Sequence, residues 1–365
     1  MNKNIPLFKV FIPPKHVLLP ALEEVLYSGK ISEGEPVVRF EGKFVEHFNL
    51  KNALSLYSGT AALHTALIIS GVGPGDEVIS TPMTAEPSNM AIKHAGARII
   101  WADVDPLNGN LTAESIAERI THKTKAIMVV HYGGVPAPIL DIQKIALKCN
   151  IPVIEDAAHA LGARYDGQYI GNHSDHVVFS FQAIKHMTTI DGGMLICRNR
   201  EDFQKGKLLR WFGIDRNAIR TEIDIKTIGY KYHMNNVNAT IGLIQLSYID
   251  GIIKKYVSNG KYFDLHLKNV DGIETCKWDK IAEPSYWFYT VLVEKKEDFI
   301  RHLKSYNIDA SSVHRRNDKH SVFKDSRSKL PGLDQFYQKM VHIPCGWWVS
   351  ETDREYMIHT IKKGW

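Results

Sequence analysis

Between about residue 53 and residue 200, short apolar runs alternate with longer stretches whose apolar positions recur at helical spacing. The short runs are rich in Val and Ile and predict strands at Ala53–Leu56, Glu77–Thr81, Arg98–Ala102, Ala126–Val130, Val153–Ile154, Val177–Phe181 and Gly193–Cys197. Helices are predicted between them at Ala61–Ile69, Pro87–His94, Ala113–Ile120 and Ile139–Cys149. Continuously apolar strands are typical of a sheet covered by helices on both faces. The pattern therefore predicts an α/β domain with a mostly parallel mixed sheet.

The pattern changes after about residue 245. A long helical stretch at Ile249–Lys268 leads to an aromatic strand at Tyr286–Val293, and helices at Glu297–Tyr306 and Asp353–Lys362 follow. These elements predict a smaller α+β domain at the C-terminal end. We expect a large domain of residues 1–245 and a small domain of residues 246–365, with residues 1–30 packing against the small domain.

Composition and charge exclude several classes of protein. The chain has 365 residues, 44% of them hydrophobic, and a formal net charge of +5, so it is not intrinsically disordered. The small positive excess is spread thinly, which argues against nucleic-acid binding. No apolar stretch approaches the roughly 20 residues of a membrane span, and the N-terminal sequence lacks the apolar region of a signal peptide. The four cysteines lie far apart, which argues against a disulfide framework or a metal site and favours a cytoplasmic protein.

The first candidate site follows the strand that ends at Leu56, where Ser58, Gly59 and Thr60 precede a predicted helix. Ligands in α/β sheets bind at the carboxyl ends of the strands. The free N–H groups of the first helical turn attract anions, and the Thr60 hydroxyl adds a donor. The same residues also suit an ordinary helix N-cap, so taken alone they leave both interpretations open.

Two further strands end in residues that carry chemistry. One is followed by Asp156 and, three residues later, His159. A carboxylate there can hold a positively charged heteroaromatic nitrogen, and the histidine lies one helical turn further on. The other strand ends in Ser180 and is followed by Lys185, whose amine becomes nucleophilic if it is partly buried. An anion site, an acid and a lysine together are what pyridoxal 5′-phosphate (PLP) requires for its phosphate, its ring nitrogen and its aldehyde.

Several linked motifs then make the sequence recognisable. From about Gly29 to about Leu246, the segments SGTAAL, PGDEVI, EDAAHALGA, FSFQAIKHMTTIDGG and GYKYHMNNVNATIGLIQL occur in order. Together they resemble the DegT/DnrJ/EryC1/StrS family of sugar aminotransferases, which are PLP-dependent enzymes of fold type I with an aspartate-aminotransferase-like fold. The resemblance implies PLP as cofactor, pyridoxamine 5′-phosphate as its intermediate form, and L-glutamate as amino donor.

The resemblance also implies roles for individual residues. Lys185 matches the lysine that bonds to the cofactor and later moves a proton, Asp156 matches the acid at the ring nitrogen, and His159 matches the residue beside the 3-hydroxyl group. The phosphate positions of the family correspond to Gly59, Thr60 and Ser180.

The sequence departs from the family pattern at three positions. Ala85 replaces the aromatic residue that usually follows PMT and stacks on the cofactor ring. In the segment GYKYH, Lys231 replaces an amide and His233 replaces an arginine. In the family this segment reaches the active site of a partner subunit, so the resemblance implies a homodimer with shared sites, in which Lys231 would meet the partner's phosphate.

The implied acceptor is a nucleotide-linked 4-keto-6-deoxy or 3-keto-6-deoxy hexose, used for surface polysaccharides such as the O-antigen of lipopolysaccharide or for other glycoconjugates. The segment 312–320 is dense in hydrogen-bond donors, and Arg side chains suit a pyrophosphate, although a solvated basic loop has the same composition. The candidate substrate-binding residues are His186, His314, Arg315, Arg316 and Asn317.

Other functions explain the sequence less completely. A PLP-dependent nucleotide-sugar 3-dehydratase of this family has a histidine in place of the cofactor lysine, whereas here Lys185 is in register with that lysine and His186 follows it. A non-catalytic sensor or regulator on the same fold usually carries an added module. A zinc hydrolase would need HExxH or comparable spacing, which is missing. A plain α/β binding module leaves the combination of anion site, acid and lysine unexplained.

Overall fold

The structure is a computed structural model that describes residues 4–216, 218–326 and 328–365. The strands of the described residues are β1 (Ala53–Leu56), β2 (Glu77–Ser80), β3 (Arg98–Trp101), β4 (Thr124–Val130), β5 (Val153–Asp156), β6 (Arg164–Tyr165), β7 (Gln168–Tyr169), β8 (His176–Ser180), β9 (Gly193–Cys197), β10 (Ile273–Thr275), β11 (Ala282–Glu283), β12 (Tyr289–Val293) and β13 (Met340–Ile343). The helices are α1 (Lys15–Tyr27), α2 (Glu35–Phe48), α3 (Gly59–Ile69), α4 (Glu86–His94), α5 (Ala113–Ala117), α6 (Ile139–Cys149), α7 (Arg200–Leu209), α8 (Asn236–Leu246), α9 (Ile249–Leu267), α10 (Lys296–Ser305), α11 (Pro331–Lys339) and α12 (Glu351–Lys362).

Seven strands form the main sheet in the order β1-β9-β8-β5-β4-β2-β3. The pairs from β8 through β5, β4 and β2 to β3 are parallel, and β9 runs antiparallel to both of its neighbours. Strands β1, β2, β4, β5, β8 and β9 are almost entirely buried, as expected for a sheet covered on both faces. The prediction of an α/β fold with a mostly parallel mixed sheet is confirmed.

The direction of β9 decides where the candidate residues meet. Its first residue, Gly193, pairs with Leu56 at the end of β1 and with Ser180 at the end of β8. The ends of β1, β5 and β8 therefore lie at one edge of the sheet. A Cβ atom on Gly193 would lie 2.5 Å from the Ser58 carbonyl oxygen, so this close approach requires glycine.

Some observed bounds differ from the predicted ones. β5 continues to Asp156, because this residue still pairs in register with Val130 of β4. The strand predicted from Tyr286 begins only at Tyr289, because Tyr286 has a left-handed φ of 51° and the Trp287 N–H donates to the Gly133 carbonyl. The predictions also missed α1, α2, α7, α8 and α11, among which α2 buries a regular row of apolar side chains (Val37, Phe40, Phe44 and Phe48).

Buried side chains form two clusters. One surrounds the seven-stranded sheet, and the other lies around the sheet β10-β12-β13. The N-terminal stretch contacts both parts, because Ile5 belongs to the second cluster whereas α1 packs against α8. The division at residues 245 and 246 stays a prediction, and residues 1–3 of the predicted N-terminal segment lie outside the described residues.

Two further structural findings bear on function. Within residues 4–216, 218–326 and 328–365, no helix is both long enough and apolar enough to span a bilayer. In the same described part, no group of three or more His, Cys, Asp or Glu side chains is arranged to hold a metal ion.

Candidate active site

A cavity of about 380 Å³ opens at the carboxyl edge of the main sheet, where β1, β5 and β8 end. Eight of the predicted site residues line it together: Gly59, Thr60, Ala85, Asp156, His159, Ser180, Lys185 and His314. The structure thus brings the candidate anion site, acid and lysine into one volume. Residues that the sequence did not single out also line the cavity, among them Glu86, Ser88, Gln182, Asp191 and Trp287.

The anion site lies at the start of α3. The Ser58 side chain caps the helix by accepting a hydrogen bond from the Ala61 N–H (3.1 Å). The N–H groups of the first helical turn beyond this cap have no partner within the helix and carry its partial positive charge. Gly59 lets α3 lie close against Ser180, because a Cβ atom on it would lie 3.1 Å from the Ser180 Cβ atom and would force a small shift. The N-terminus of α3 and Ser180 therefore lie side by side at the cavity lining, where both can contact one anion.

Asp156 is buried at the end of β5, with both carboxylate oxygens engaged. Its Oδ2 accepts a hydrogen bond of 2.6 Å from the Ser88 hydroxyl, and its Oδ1 accepts one of 3.1 Å from the Ala158 N–H. The Ser88 hydroxyl is in turn 2.9 Å from the Thr84 hydroxyl. These donors hold the carboxylate in one orientation at the floor of the cavity.

Lys185 lies in the turn between β8 and β9. Backbone hydrogen bonds of the turn, including one from the Lys185 N–H to the Gln182 carbonyl (3.0 Å), hold the segment in place. The Nζ atom lies 3.8 Å from the centre of the Trp287 ring, and the Trp287 indole N–H donates to the Ile184 carbonyl (2.9 Å). Burial lowers the pKa of the Lys185 ammonium group to about 7, although the negative charge of Asp156 acts in the opposite direction. A large share of this amine is therefore uncharged at neutral pH.

His159 forms a third wall of the cavity. Its ring stacks on Trp287 at a centroid distance of 3.9 Å, and its Nδ1 atom accepts a long hydrogen bond (3.4 Å) from the Gly133 N–H. Burial, together with the positive charge of Lys185, lowers the pKa of the imidazole well below its ordinary value. The ring is therefore neutral, and this hydrogen bond assigns the remaining proton to Nε2. Sequence reasoning missed Trp287, which only the cluster of aromatic residues at 286–289 signalled.

In the predicted pyrophosphate-binding loop, the side chains of Arg316 and Asn317 already have partners within the protein. Arg316 is buried and forms ion pairs with Asp318 (Nε to Oδ1, 2.7 Å) and with Asp334. The Asn317 amide donates to the Thr84 carbonyl (2.8 Å) and accepts from the Asn89 side chain (2.8 Å). These partners occupy both side chains, so Arg316 and Asn317 help to fix the segment 312–320 to the rest of the protein.

The remaining members of the loop differ from these two. His314 lines the cavity, has a left-handed φ of 66°, and lies parallel to His159 at a centroid distance of 5.6 Å. Burial lowers the pKa of His314 to about 4, so its ring is neutral. Arg315 is exposed and is absent from the cavity lining.

Two other predicted residues lie outside the cavity lining. The His186 ring turns toward the Ser285 carbonyl (3.1 Å) and packs against Tyr256, and burial lowers its pKa to about 4, so the structure does not place it as a substrate-binding residue. Lys231 is exposed, in a segment held beside the end of β1 by a hydrogen bond from the Tyr57 N–H to the Tyr232 carbonyl (2.8 Å).

Comparison with known proteins gives this geometry its context. The sequence matches the DegT/DnrJ/EryC1/StrS aminotransferase family over residues 15–362. It is 32% identical to the GDP-perosamine synthase of Escherichia coli O157:H7, over 86% of this chain and 85% of that protein. The sugar aminotransferase CalS13 from Micromonospora echinospora is 35% identical, with a TM-score of 0.96 over 99% of this chain and 100% of that one. The Spr1654 structure from Streptococcus pneumoniae, in its PLP form, is 25% identical, with a TM-score of 0.91 over 99% and 98% of the two chains.

These similarities confirm the PLP-dependent transferase fold that the sequence predicted. The match to the family extends from α1 to the end of α12 and so includes every strand of the main sheet. The chain belongs to the DegT/DnrJ/EryC1/StrS aminotransferase family and is a PLP-dependent aminotransferase.

Proposed function

We propose that this aminotransferase moves an amino group from L-glutamate to a nucleotide-linked keto-sugar, a 4-keto-6-deoxy or 3-keto-6-deoxy hexose, for surface polysaccharide or glycoconjugate synthesis. One observation carries the proposal: the partly neutral Lys185 amine, the Asp156 carboxylate and the N-terminus of α3 share one cavity. The GDP-perosamine synthase relative supports the class of acceptor. A cytoplasmic location stays a prediction from the sequence.

The residues present fit PLP. The N-terminus of α3 and the Ser180 hydroxyl, which the close approach of Gly59 to Ser180 brings side by side at the cavity lining, suit its phosphate, with a further donor in the Thr60 hydroxyl. Asp156 would hold the ring nitrogen, and the neutral His159 ring would donate from Nε2 toward the 3-hydroxyl group. When bound, the cofactor supplies an electron sink that stabilises negative charge developing at the substrate carbon.

The protein's own residues then account for orientation and proton transfer. In the half-reaction with the amino donor, Lys185 would remove the proton from the amine-bearing carbon. In the half-reaction with the keto-sugar, it would deliver a proton to the carbon that receives the amino group. A pKa of about 7 suits both transfers. Ser88 and the Ala158 N–H keep the Asp156 carboxylate oriented throughout. Trp287, on which the His159 ring stacks, covers the Lys185 amine, and the burial of this amine keeps it partly uncharged.

The dehydratase alternative has less support. That activity would place a histidine where Lys185 lines the cavity, and the neighbouring His186 ring instead turns toward the Ser285 carbonyl. We therefore retain Lys185 as the residue that moves the proton.

We also propose a homodimer in which Lys231 contacts the cofactor phosphate of the partner subunit. The exposed position of Lys231 supports this, since its side chain is free of its own cavity. The surrounding segment exposes further apolar side chains (Phe212, Ile225 and Ile228). Exposed apolar surface of this kind is typical of protein interfaces.

The proposal is tested with purified protein and two amino-sugar nucleotides. Protein reconstituted with PLP should be yellow, and L-glutamate should bleach the band. The two amino-sugar nucleotides are GDP-perosamine and UDP-4-amino-4,6-dideoxy-N-acetyl-β-L-altrosamine, after which two relatives of this chain are named. In the reverse direction, one of them should give its amino group to 2-oxoglutarate and so form glutamate. Lys185→Ala should abolish both the bleaching by L-glutamate and the formation of glutamate from 2-oxoglutarate. Replacement of the exposed Lys148 by Ala should abolish neither. A protein that reacts with glutamate and with neither 4-amino-sugar nucleotide would refute both of these sugars as substrates.

A further inference from the structure

Glu86, the first residue of α4, lines the same cavity as Lys185. Its neighbour Ala85 occupies the position where the family usually has an aromatic ring, and its small side chain fills less of the cavity beside Glu86 than such a ring would. The Glu86 side chain is 41% exposed. A carboxylate is thus available at the wall of the volume in which the substrate must bind.

The structure engages this carboxylate only loosely. Among the described residues, its nearest possible ion-pair partner is His320, whose Nε2 atom lies 3.5 Å from Glu86 Oε1, beyond the range of a good hydrogen bond. The same His320 Nε2 is buried and has no hydrogen-bond partner within the described part of the chain. His320 is held in position because its N–H donates to the Asn317 carbonyl (3.0 Å), at the base of the anchored loop. The Glu86 carboxylate therefore lies at the cavity lining without a close partner among the described residues, next to a His320 ring nitrogen that also lacks one.

We infer that Glu86 is a specificity-determining residue that accepts hydrogen bonds from hydroxyl groups of the sugar substrate. This inference rests on the proposed function and names the chemistry by which the sugar is recognised. Sugar hydroxyls are donors, whereas an ionised carboxylate only accepts. L-Glutamate, the other substrate of the same cavity, carries two carboxylates, which Glu86 repels. Glu86 therefore favours binding of the sugar in one half-reaction and disfavours binding of L-glutamate in the other.

The alternative is that Glu86 serves only the N-terminus of α4. Acidic residues in a first turn stabilise helices generally, and Glu114 in the first turn of α5 provides the comparison within this protein. Glu114 is exposed and lies outside the cavity lining. A purely helical role predicts the same behaviour for both residues, whereas sugar recognition predicts a difference.

The test measures the two half-reactions separately, with the PLP-loaded protein and absorbance as the signal. The sugar half-reaction uses GDP-perosamine or UDP-4-amino-4,6-dideoxy-N-acetyl-β-L-altrosamine, whichever the unaltered protein converts faster, and the other half-reaction uses L-glutamate. We expect Glu86→Ala to lower kcat/KM for the amino-sugar nucleotide by about 10- to 100-fold, the effect of losing a hydrogen bond to a charged group. It should leave kcat/KM for glutamate equal or higher.

The variants and outcomes separate the possible explanations. Glu86→Gln keeps one acceptor oxygen and should lose less than Glu86→Ala; it also serves if Glu86→Ala does not fold. Glu114→Ala should change neither half-reaction. An equal loss in both half-reactions, or no loss with the sugar nucleotide, would overturn the inference. If the unaltered protein converts glutamate but neither sugar nucleotide, both sugars fail as substrates, and the inference that Glu86 recognises them fails as well.

Discussion

The cavity is bounded on one side by strand ends and on the other by the segment 312–320. The sheet wall consists of Gly59, Asp156, Ser180 and Lys185, which the topology of one sheet brings to a common edge. The loop wall depends instead on Arg316, which pairs with Asp318 inside the loop and with Asp334, and on Asn317, which bonds to the distant Asn89. This wall brings His314 to the cavity. The comparison teaches that polar residues at strand ends face the ligand, whereas polar residues of a long loop first have to satisfy the loop itself.

The largest expected effect concerns the sheet wall. Asp156→Ala should lower kcat by about 10³-fold, because it removes a preorganised charge at the floor of the cavity. Ser88→Ala, which removes only the 2.6 Å hydrogen bond to Asp156, should lower kcat by about tenfold or less. Steady-state kinetics with saturating PLP measures both. If Ser88→Ala were as damaging as Asp156→Ala, the orientation of the carboxylate would matter more than its charge.

The second prediction concerns the loop wall. Arg316→Ala should lower the free energy of unfolding by about 3 kcal/mol, because it leaves the buried Asp318 carboxylate without a partner. The exposed Arg315→Ala should change it by less than about 0.5 kcal/mol. Urea denaturation measures the free energy of unfolding of both variants. A stable Arg316→Ala variant with weakened nucleotide binding would reverse our assignment and return this side chain to the substrate.

The third prediction uses the pKa of about 7 at Lys185. The neutral amine is the form that reacts with the PLP aldehyde, so capture of PLP by the cofactor-free protein should accelerate about tenfold from pH 6 to pH 8 and then level off. An amine with an ordinary pKa would continue to gain about tenfold per pH unit above pH 8. Stopped-flow absorbance measures this rate. A profile that still rises steeply at pH 9 would contradict the effect of burial on Lys185.

The smallest expected effect concerns the close contact between Gly59 of α3 and Ser180 of β8. Gly59→Ala places a Cβ atom 3.1 Å from the Ser180 Cβ, so Ser180 must shift and the dissociation constant of PLP should rise about fivefold. Gly42→Ala on α2 meets no atom within 4 Å and should instead stabilise the protein by up to about 1 kcal/mol. Fluorescence titration with PLP compares the two variants. Unchanged affinity in Gly59→Ala would show that the phosphate lies elsewhere.

The contrast between the walls also explains what the sequence predicted and what it did not. The strands, the sheet class and the roles implied for Lys185 and Asp156 follow from local apolar runs and from motifs at their ends. The partners of the loop residues do not, since Asn317 bonds to Asn89, which lies 228 positions away in the sequence. Trp287 was missed for the same reason, because only the fold brings its ring over the Lys185 amine.

The antiparallel strand β9 has a consequence for how the protein matures. It joins parts of the chain that are far apart, as in the hydrogen bond from the Asn52 side chain to the Cys197 carbonyl across 145 positions. Contacts at such separations form late and slowly in folding, because the intervening loop must close first. During synthesis, the anion site formed by Gly59 and Ser180 therefore stays incomplete until β9 has been made and inserted. A chain that retains the cofactor would then have a complete sheet. A chain truncated before residue 193 would lack β9 and would not bind the cofactor.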